Sequence, residues 1–198
     1  MIKSPAQIQR QTNIANLLTA ARLVLSPVFV FVFLGWDSLG GAVTCLIIAV
    51  VSELTDLFDG MVARYRNEVT DFGKILDPLA DSISRLTAFL CFAQGGWAPL
   101  YLVIFILYRD SMVATLRTYC AYKGVVVSAR WSGKLKAWVQ AIAIMIVLCL
   151  RIALYSFGPD YKSLFIGISY GAVAIATLVT VLSAVEYLSG NWKTLMRE

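Results

Sequence analysis

Gly40-Gly-Ala-Val-Thr-Cys-Leu-Ile-Ile-Ala-Val-Val-Ser-Glu53-Leu-Thr-Asp56-Leu-Phe-Asp59-Gly60-Met-Val-Ala63-Arg64 is an apolar run that ends in acids. Its length suits a bilayer crossing, and its first dozen residues carry no charge. Toward its end Asp56, Asp59 and Ala63 stand at i, i+3 and i+7, which places them on one helical face. Asp77 and Asp81 follow, four residues apart, where another apolar run begins. Two helices in a tight hairpin bring these four carboxylates to one depth, just below one membrane surface. An acid at membrane depth is costly and marks a functional site by default. Four together repel one another unless positive charge sits among them, and divalent cations with oxygen ligands supply it. Four acids suit two such ions about 3.5–4 Å apart, an arrangement used in phosphoryl transfer.

The rest of the chain agrees with a membrane setting. It has 198 residues, 59% of them hydrophobic and only 15% charged, and its mean hydropathy is +0.75. A soluble domain exposes far more charge. There is no histidine, which excludes imidazole metal sites and Ser-His-Asp catalysis and leaves acid–base work to carboxylates, Lys, Tyr or Cys. Cys45, Cys91, Cys120 and Cys149 are scattered singly, with no metal-ligand spacing, and read as core-filling residues. The net charge of +5 fits a basic face against anionic lipid rather than nucleic-acid binding, because the cations are interspersed with long apolar spans.

The fold class expected is an all-α integral membrane protein with six transmembrane helices at 16–36, 40–64, 78–95, 98–120, 134–156 and 163–189. A cytoplasmic arm or short interfacial helix occupies 1–15, and one membrane domain fills 16–198. The first span lacks a small-residue cleavage site and is expected to be retained. Lys3 and Arg10, Arg64, Arg66 and Lys74, then Lys123, Arg130, Lys134 and Lys136, and finally Lys193 and Arg197 mark the N-terminal arm, the second and fourth connections and the tail. The first and third connections have no basic residue, so both termini are expected in the cytoplasm. Trp36, Trp97, Trp131 and Trp192 fall at span ends, as an interfacial belt requires.

Around the acids, Gly60 removes a side chain where a ligand approaches the helix, Arg64 is placed to fork onto phosphate oxygens, and Gly73 permits close approach or a sharp turn. Pro78 suits the first turn of the third span, which makes Asp77 its N-cap. Glu53, one turn deeper than Asp56, is placed to support the site or to pair with Arg85. The alternative is an interfacial network in which the acids pair with Arg64, Arg66, Lys74 and Arg85. That network balances charge but leaves the fixed spacings and the glycines without a purpose.

The pattern Asp56-x2-Asp59-Gly60-x2-Ala63-Arg64-x8-Gly73-x3-Asp77-x3-Asp81 resembles the signature of the CDP-alcohol phosphotransferases at every fixed position, and the six-span layout is similar over nearly the whole chain. The resemblance implies an integral membrane enzyme that transfers a phosphoalcohol from a CDP-linked donor to an acceptor hydroxyl with release of CMP. It implies two divalent cations, Mg²⁺ or Mn²⁺, with Asp56, Asp59, Asp77 and Asp81 as their ligands and Asp81 also as the catalytic base. It further implies Asp56, Gly60, Arg64 and Gly73 at the donor nucleotide, and a homodimer.

Asn13-Ile-Ala-Asn16-Leu-Leu-Thr19 with Arg22, Val69 to Ala80, Leu116-Arg117, Lys123-Gly124-Val125 and Gly133-Lys134-Leu-Lys136 with Gln140 are similar to the bacterial branch that makes phosphatidylglycerophosphate. That branch implies CDP-diacylglycerol as donor, glycerol 3-phosphate as acceptor, and a place in the bacterial cytoplasmic membrane with the site facing the cytoplasm. Ala15 stands where a Pro is usual, Arg109-Asp110 where Arg-Glu is usual, and Ser82-Ile-Ser84-Arg85 where Lys and aliphatics are more common. A phosphorylated acceptor needs a cationic pocket, and Arg109, Arg117, Lys134 and Lys136 are its candidates. The other reading of Lys134 and Lys136 is positive-inside anchoring, and of Arg109 a pair with Asp110 or Glu53. Inositol phosphate, serine or another alcohol as acceptor is the near alternative. A cation or proton-coupled transporter is the distant one, favoured by acids at mid-bilayer rather than at one surface.

Overall fold

The computed structural model describes residues 14–65, 71–122 and 131–195, with 14–16, 57, 59–65, 71–75, 121–122 and 191–195 described as backbone only. Helices α1 (Ile14–Gly35), α2 (Leu39–Tyr65), α3 (Asp71–Gln94), α4 (Leu100–Tyr122) and α5 (Trp131–Phe157) are followed by a 3-10 turn (Pro159–Tyr161) and α6 (Lys162–Leu195). No strand occurs among the described residues. The expected arm at 1–15 lies outside them, apart from Ile14 and Ala15, which open α1.

The helix ends follow local chemistry. Ser38 caps α2, its hydroxyl accepting the Gly41 N–H at 3.1 Å and its carbonyl the Ala42 N–H at 2.9 Å. Gly41 is required there, since a Cβ on it would stand 2.0 Å from the Trp36 carbonyl oxygen. Helix α5 stops at Gly158, whose φ of +91° favours glycine, and Pro159 follows.

Helix α3 departs from expectation. It begins at Asp71, so Pro78 lies inside the helix and Asp77 is not an N-cap. The ring removes one backbone N–H from the helical ladder, yet the helix runs on through it. The Asp77 carboxylate is thereby free of capping and available to another helix.

The chain divides into two compact units, Met1–Cys91 and Phe92–Glu198. In the first, α1 packs on α2. Ala42, Cys45 and Ala49 are buried on α2 at i, i+3 and i+7, a stripe small enough for close approach, and Phe29 stacks on Phe33 on α1. In the second, α6 packs against α4 and α5. A seam of hydroxyls on α6 serves as the join. Ser169 donates to the Trp97 carbonyl at 2.5 Å, Thr177 to the Leu102 carbonyl at 3.4 Å, and Thr180 accepts from Gln140 at 2.9 Å. Trp97 is therefore buried rather than part of an interfacial belt, whereas Trp36 and Trp131 are exposed and Trp192 lies outside the described side chains. Of the cysteines, Cys45, Cys91 and Cys120 fill the core as expected, but Cys149 is exposed.

Apolar side chains such as Phe31, Ile47, Phe105, Ile142 and Leu178 face outward, while Thr19, Arg22, Gln140, Thr180 and Ser183 are buried. An apolar exterior around a core that also holds these polar groups suits lipid. Helices α1, α2, α5 and α6 contain stretches long and apolar enough to cross a membrane. Helices α3 and α4 are of similar length, 24 and 23 residues, but carry Asp77, Asp81 and Arg85, and Arg109, Asp110 and Arg117, in mid-helix.

Candidate active site

On α1, the buried residues Thr19, Arg22 and Ser26 stand at i, i+3 and i+7, a polar stripe in an otherwise apolar helix. Two of the three reach the aspartates. Thr19 Oγ1 donates to Asp77 Oδ1 of α3 at 2.8 Å. Arg22 Nη1 donates to Asp56 Oδ1 of α2 at 2.7 Å and also to Asp81 Oδ1 of α3. Ser26 donates back to the Arg22 carbonyl at 2.9 Å. Arg22 is only 1% exposed, so its charge is compensated by these carboxylates rather than by water.

A second guanidinium flanks the first. Arg85 of α3 meets Glu53 of α2 through Nε at 3.3 Å and Nη2 at 3.4 Å, and its Nη2 lies 3.9 Å from Asp56 Oδ2. At the preceding position on each helix, the Ser52 and Ser84 hydroxyls share a hydrogen bond at 3.1 Å. The expected Glu53–Arg85 pair is thus present. Four carboxylates face two guanidinium groups here, leaving two negative charges uncompensated within the described residues.

Asp56, Asp77 and Asp81 are therefore brought to one face of α1. Asp59, Gly60 and Arg64 lie on α2 and Gly73 on α3, but their side chains and surroundings are outside the described residues. Among the described residues no three acidic, Cys or His groups form a ready-made cation cage. The donor set nonetheless fits a hard divalent cation, because it is all carboxylate oxygen and Asp56 and Asp81 already converge on a single positive nitrogen.

The other predicted cations occupy the second unit. Arg109 of α4 donates from Nη1 to Asp110 Oδ1 at 3.1 Å and from Nε to Ser183 Oγ at 3.1 Å. Lys136 of α5 is buried and donates to the same Asp110 oxygen at 2.5 Å. Arg117 is exposed, with its guanidinium 5.9 Å from the centre of the Tyr187 ring, and Lys134 is exposed. Of the four, Arg109 and Lys136 are brought together, on Asp110.

Sequence reasoning gave no role to Thr19 or Arg22. The signal that locates them is a cation and two hydroxyls at helical spacing inside an apolar span. For Asp110 the sequence suggests only a pair with Arg109, whereas the structure adds Lys136 on the same oxygen.

A model of the CDP-alcohol phosphatidyltransferase family matches residues 12–185. The chain is similar to the CDP-diacylglycerol–glycerol-3-phosphate 3-phosphatidyltransferase of Bacillus subtilis, with 34% identity over 92% of this chain and 97% of that protein. It is also similar to a probable phosphatidylglycerophosphate synthase of Mycobacterium tuberculosis, with 35% identity over 91% of this chain and 82% of that protein. A 3-phosphatidyltransferase of Sodalis glossinidius is 32% identical over 90% of this chain and 94% of its own length. Aspartates gathered on a membrane helix, and likeness that runs almost end to end, lead to one conclusion: the chain is an integral membrane enzyme and belongs to the CDP-alcohol phosphatidyltransferase family.

Proposed function

We propose that the protein moves the phosphatidyl group of CDP-diacylglycerol to glycerol 3-phosphate, forming phosphatidylglycerophosphate and CMP. The observation that carries this reading is the gathering of Asp56, Asp77 and Asp81 from two helices against Thr19 and Arg22 of a third. The names of the bacterial relatives support the choice of donor and acceptor.

In this reading Asp56, Asp59, Asp77 and Asp81 hold two divalent cations, Mg²⁺ or Mn²⁺. When bound, these ions supply Lewis acidity at the donor's phosphates and neutralise their charge. Asp56 and Arg64, with Gly60 and Gly73 contributing no side chain, hold the cytidine diphosphate while the acyl chains stay in lipid. Asp81 takes the proton of the acceptor's primary hydroxyl. That oxygen forms a bond to the β-phosphorus, the bond from the β-phosphorus to the bridging oxygen breaks, and CMP leaves with the electron pair. The chain's contribution is orientation and a preorganised field, which act without reorganisation during the reaction.

The acceptor phosphate is assigned to Arg109, Arg117, Lys134 and Lys136. Arg109 and Lys136 answer first to Asp110, so Arg117 and Lys134 carry more of this role. The enzyme is a homodimer of six-span chains in the bacterial cytoplasmic membrane, with both termini and the site on the cytoplasmic side.

Purified protein given Mg²⁺, CDP-diacylglycerol and glycerol 3-phosphate is expected to release CMP. The same assay with inositol phosphate or serine is expected to release little. Preference for either of those acceptors reassigns the substrate, and no CMP with any acceptor removes the transferase chemistry proposed for this site.

A further inference from the structure

The far end of the α5–α6 hairpin carries three aromatic rings that the candidate site does not use. Helix α5 ends at Phe157, Gly158 and Pro159 turn the chain, and α6 opens at Lys162. Across this turn Phe157 meets Tyr161 edge to face with ring centres 5.9 Å apart, and Phe165 in the same way at 6.2 Å. Tyr161 stacks on Phe165 at 6.0 Å. Each ring touches the other two, so the trio is an ordered element rather than three stray side chains. It is not core: Phe157 is 65% and Tyr161 47% exposed, and Leu164 beside them is exposed as well. Apolar rings gathered in one place and left uncovered mark a contact surface.

Length, continuity and charge identify what covers them. Helix α5 has 27 residues and is about 40 Å long. A hydrocarbon core is about 30 Å thick, and the headgroup layers bring a bilayer to about 40–45 Å. Trp131 and Phe157 are the two ends of α5, and both are exposed. With Trp131 at one interface, Phe157 stands at the other. From the rings, the exposed side chains of Leu164, Ile168 and Ile175 continue along α6, a helix apolar enough to cross the membrane. The trio is thus continuous with the lipid-facing surface. Tyr161 and the exposed Lys162 add a hydroxyl and an ammonium, which suit water and the phosphate oxygens of lipid headgroups.

We propose that Phe157, Tyr161 and Phe165, with Lys162, form a foot that seats the α5–α6 hairpin in the phospholipid headgroup layer, on the membrane surface opposite the start of α5. The rings displace water at the level where headgroups meet acyl chains, and Lys162 meets lipid phosphate. A helix held at both interfaces cannot slide along the membrane normal, so the foot also fixes the depth of the first turn of α5. Its role is independent of the substrates proposed above.

The test measures depth in the full-length protein. Phe157→Trp and Tyr161→Trp each put an indole where a ring already stands, and wild-type emission is subtracted from that of each variant. The proteins are placed in liposomes of phosphatidylcholine and phosphatidylglycerol that carry a nitroxide either on the headgroup or near the end of an acyl chain. The added emission is expected to be quenched about twofold more by the headgroup nitroxide, as for aromatic residues at a membrane interface. Equal or stronger quenching from the chain end puts the rings in hydrocarbon and overturns the proposal. Quenching by neither lipid puts them in water or under a second protein chain and also overturns it. If an indole disturbs the ring cluster, Ser163→Cys in a Cys149→Ser background, labelled with a fluorophore, reads the same depth with the three rings intact. The same outcomes decide.

Discussion

Asp81 sits within reach of a guanidinium that also holds Asp56, and this shared partner separates the roles of the acids. Asp81→Asn keeps shape and hydrogen-bond capacity but cannot take a proton at neutral pH. Turnover measured as CMP release is expected to drop about 10²–10⁴-fold, the usual contribution of a positioned base, while CDP still binds in the presence of Mn²⁺. Substantial residual turnover would move the base elsewhere. Lys134 and Lys136 separate in the same way. Lys136 is buried on Asp110, so Lys136→Gln leaves a weakened carboxylate partner inside the protein and is expected to lower thermal stability. Lys134 is exposed, and Lys134→Gln is expected to raise the KM for glycerol 3-phosphate several-fold with the donor's KM little changed. An unchanged acceptor KM would take Lys134 out of the pocket. The sequence located Asp56, Asp77 and Asp81 because their spacings are local. It did not assign Arg22, because its partners lie 34 and 59 residues away and no periodicity encodes a contact across three helices.

Helix ends match the sequence expectation where the bilayer dictates length and depart from it where local chemistry and tertiary contacts compete. The expected spans 16–36 and 40–64 sit close to Ile14–Gly35 and Leu39–Tyr65. The preference of proline for first turns predicts a third helix starting at Pro78, yet the helix starts at Asp71. The misplacement has a physical source: proline inside a helix is unfavourable in water, but in a membrane helix neighbouring groups re-satisfy the freed backbone. Trp97 does stand between α3 and α4, but the turn there folds its N–H back onto the Phe92 carbonyl at 2.7 Å, and the side chain is buried instead of interfacial. The start of α2 offers a sharp test of element-level packing. A Cβ on Gly41 meets the Trp36 backbone oxygen at 2.0 Å, whereas one on Gly40 meets the Trp36 ring at 3.2 Å. Gly41→Ala is expected to destabilise the protein by about 1–3 kcal/mol, the usual range for overpacking against atoms that cannot move aside. Gly40→Ala meets an exposed side chain that can shift and gains helix propensity, so its melting temperature is expected to stay near wild type or above it. Equal losses in both variants would show that the strain is not at the Trp36 carbonyl.

For the molecule as a whole, the open physical question is how α3 and α4 meet the bilayer. By composition α1, α2, α5 and α6 qualify as spans, and the other two carry charge in mid-helix. Charge alone does not keep a helix out of the membrane when it is compensated inside the protein. Asp81 and Arg85 are so compensated in the first unit, and Arg109 and Asp110 in the second. Helices of 24 and 23 residues are about 35 Å long, enough for a hydrocarbon core of about 30 Å. Four spans and six spans leave the termini on the same side, so locating the termini does not decide between them. The connection between α3 and α4 does. It lies outside the cell if both helices cross and inside if neither does. Asp37→Cys, Gln94→Cys and Ser132→Cys, each in a Cys149→Ser background, probe the first connection, the third, and the start of α5. With a membrane-impermeant maleimide on intact cells, labelling is expected at the first two positions and only after lysis at the third. Protection of Gln94→Cys until lysis would leave α3 and α4 on the cytoplasmic side and reduce the fold to four crossings, with the aspartates at the membrane surface rather than within it.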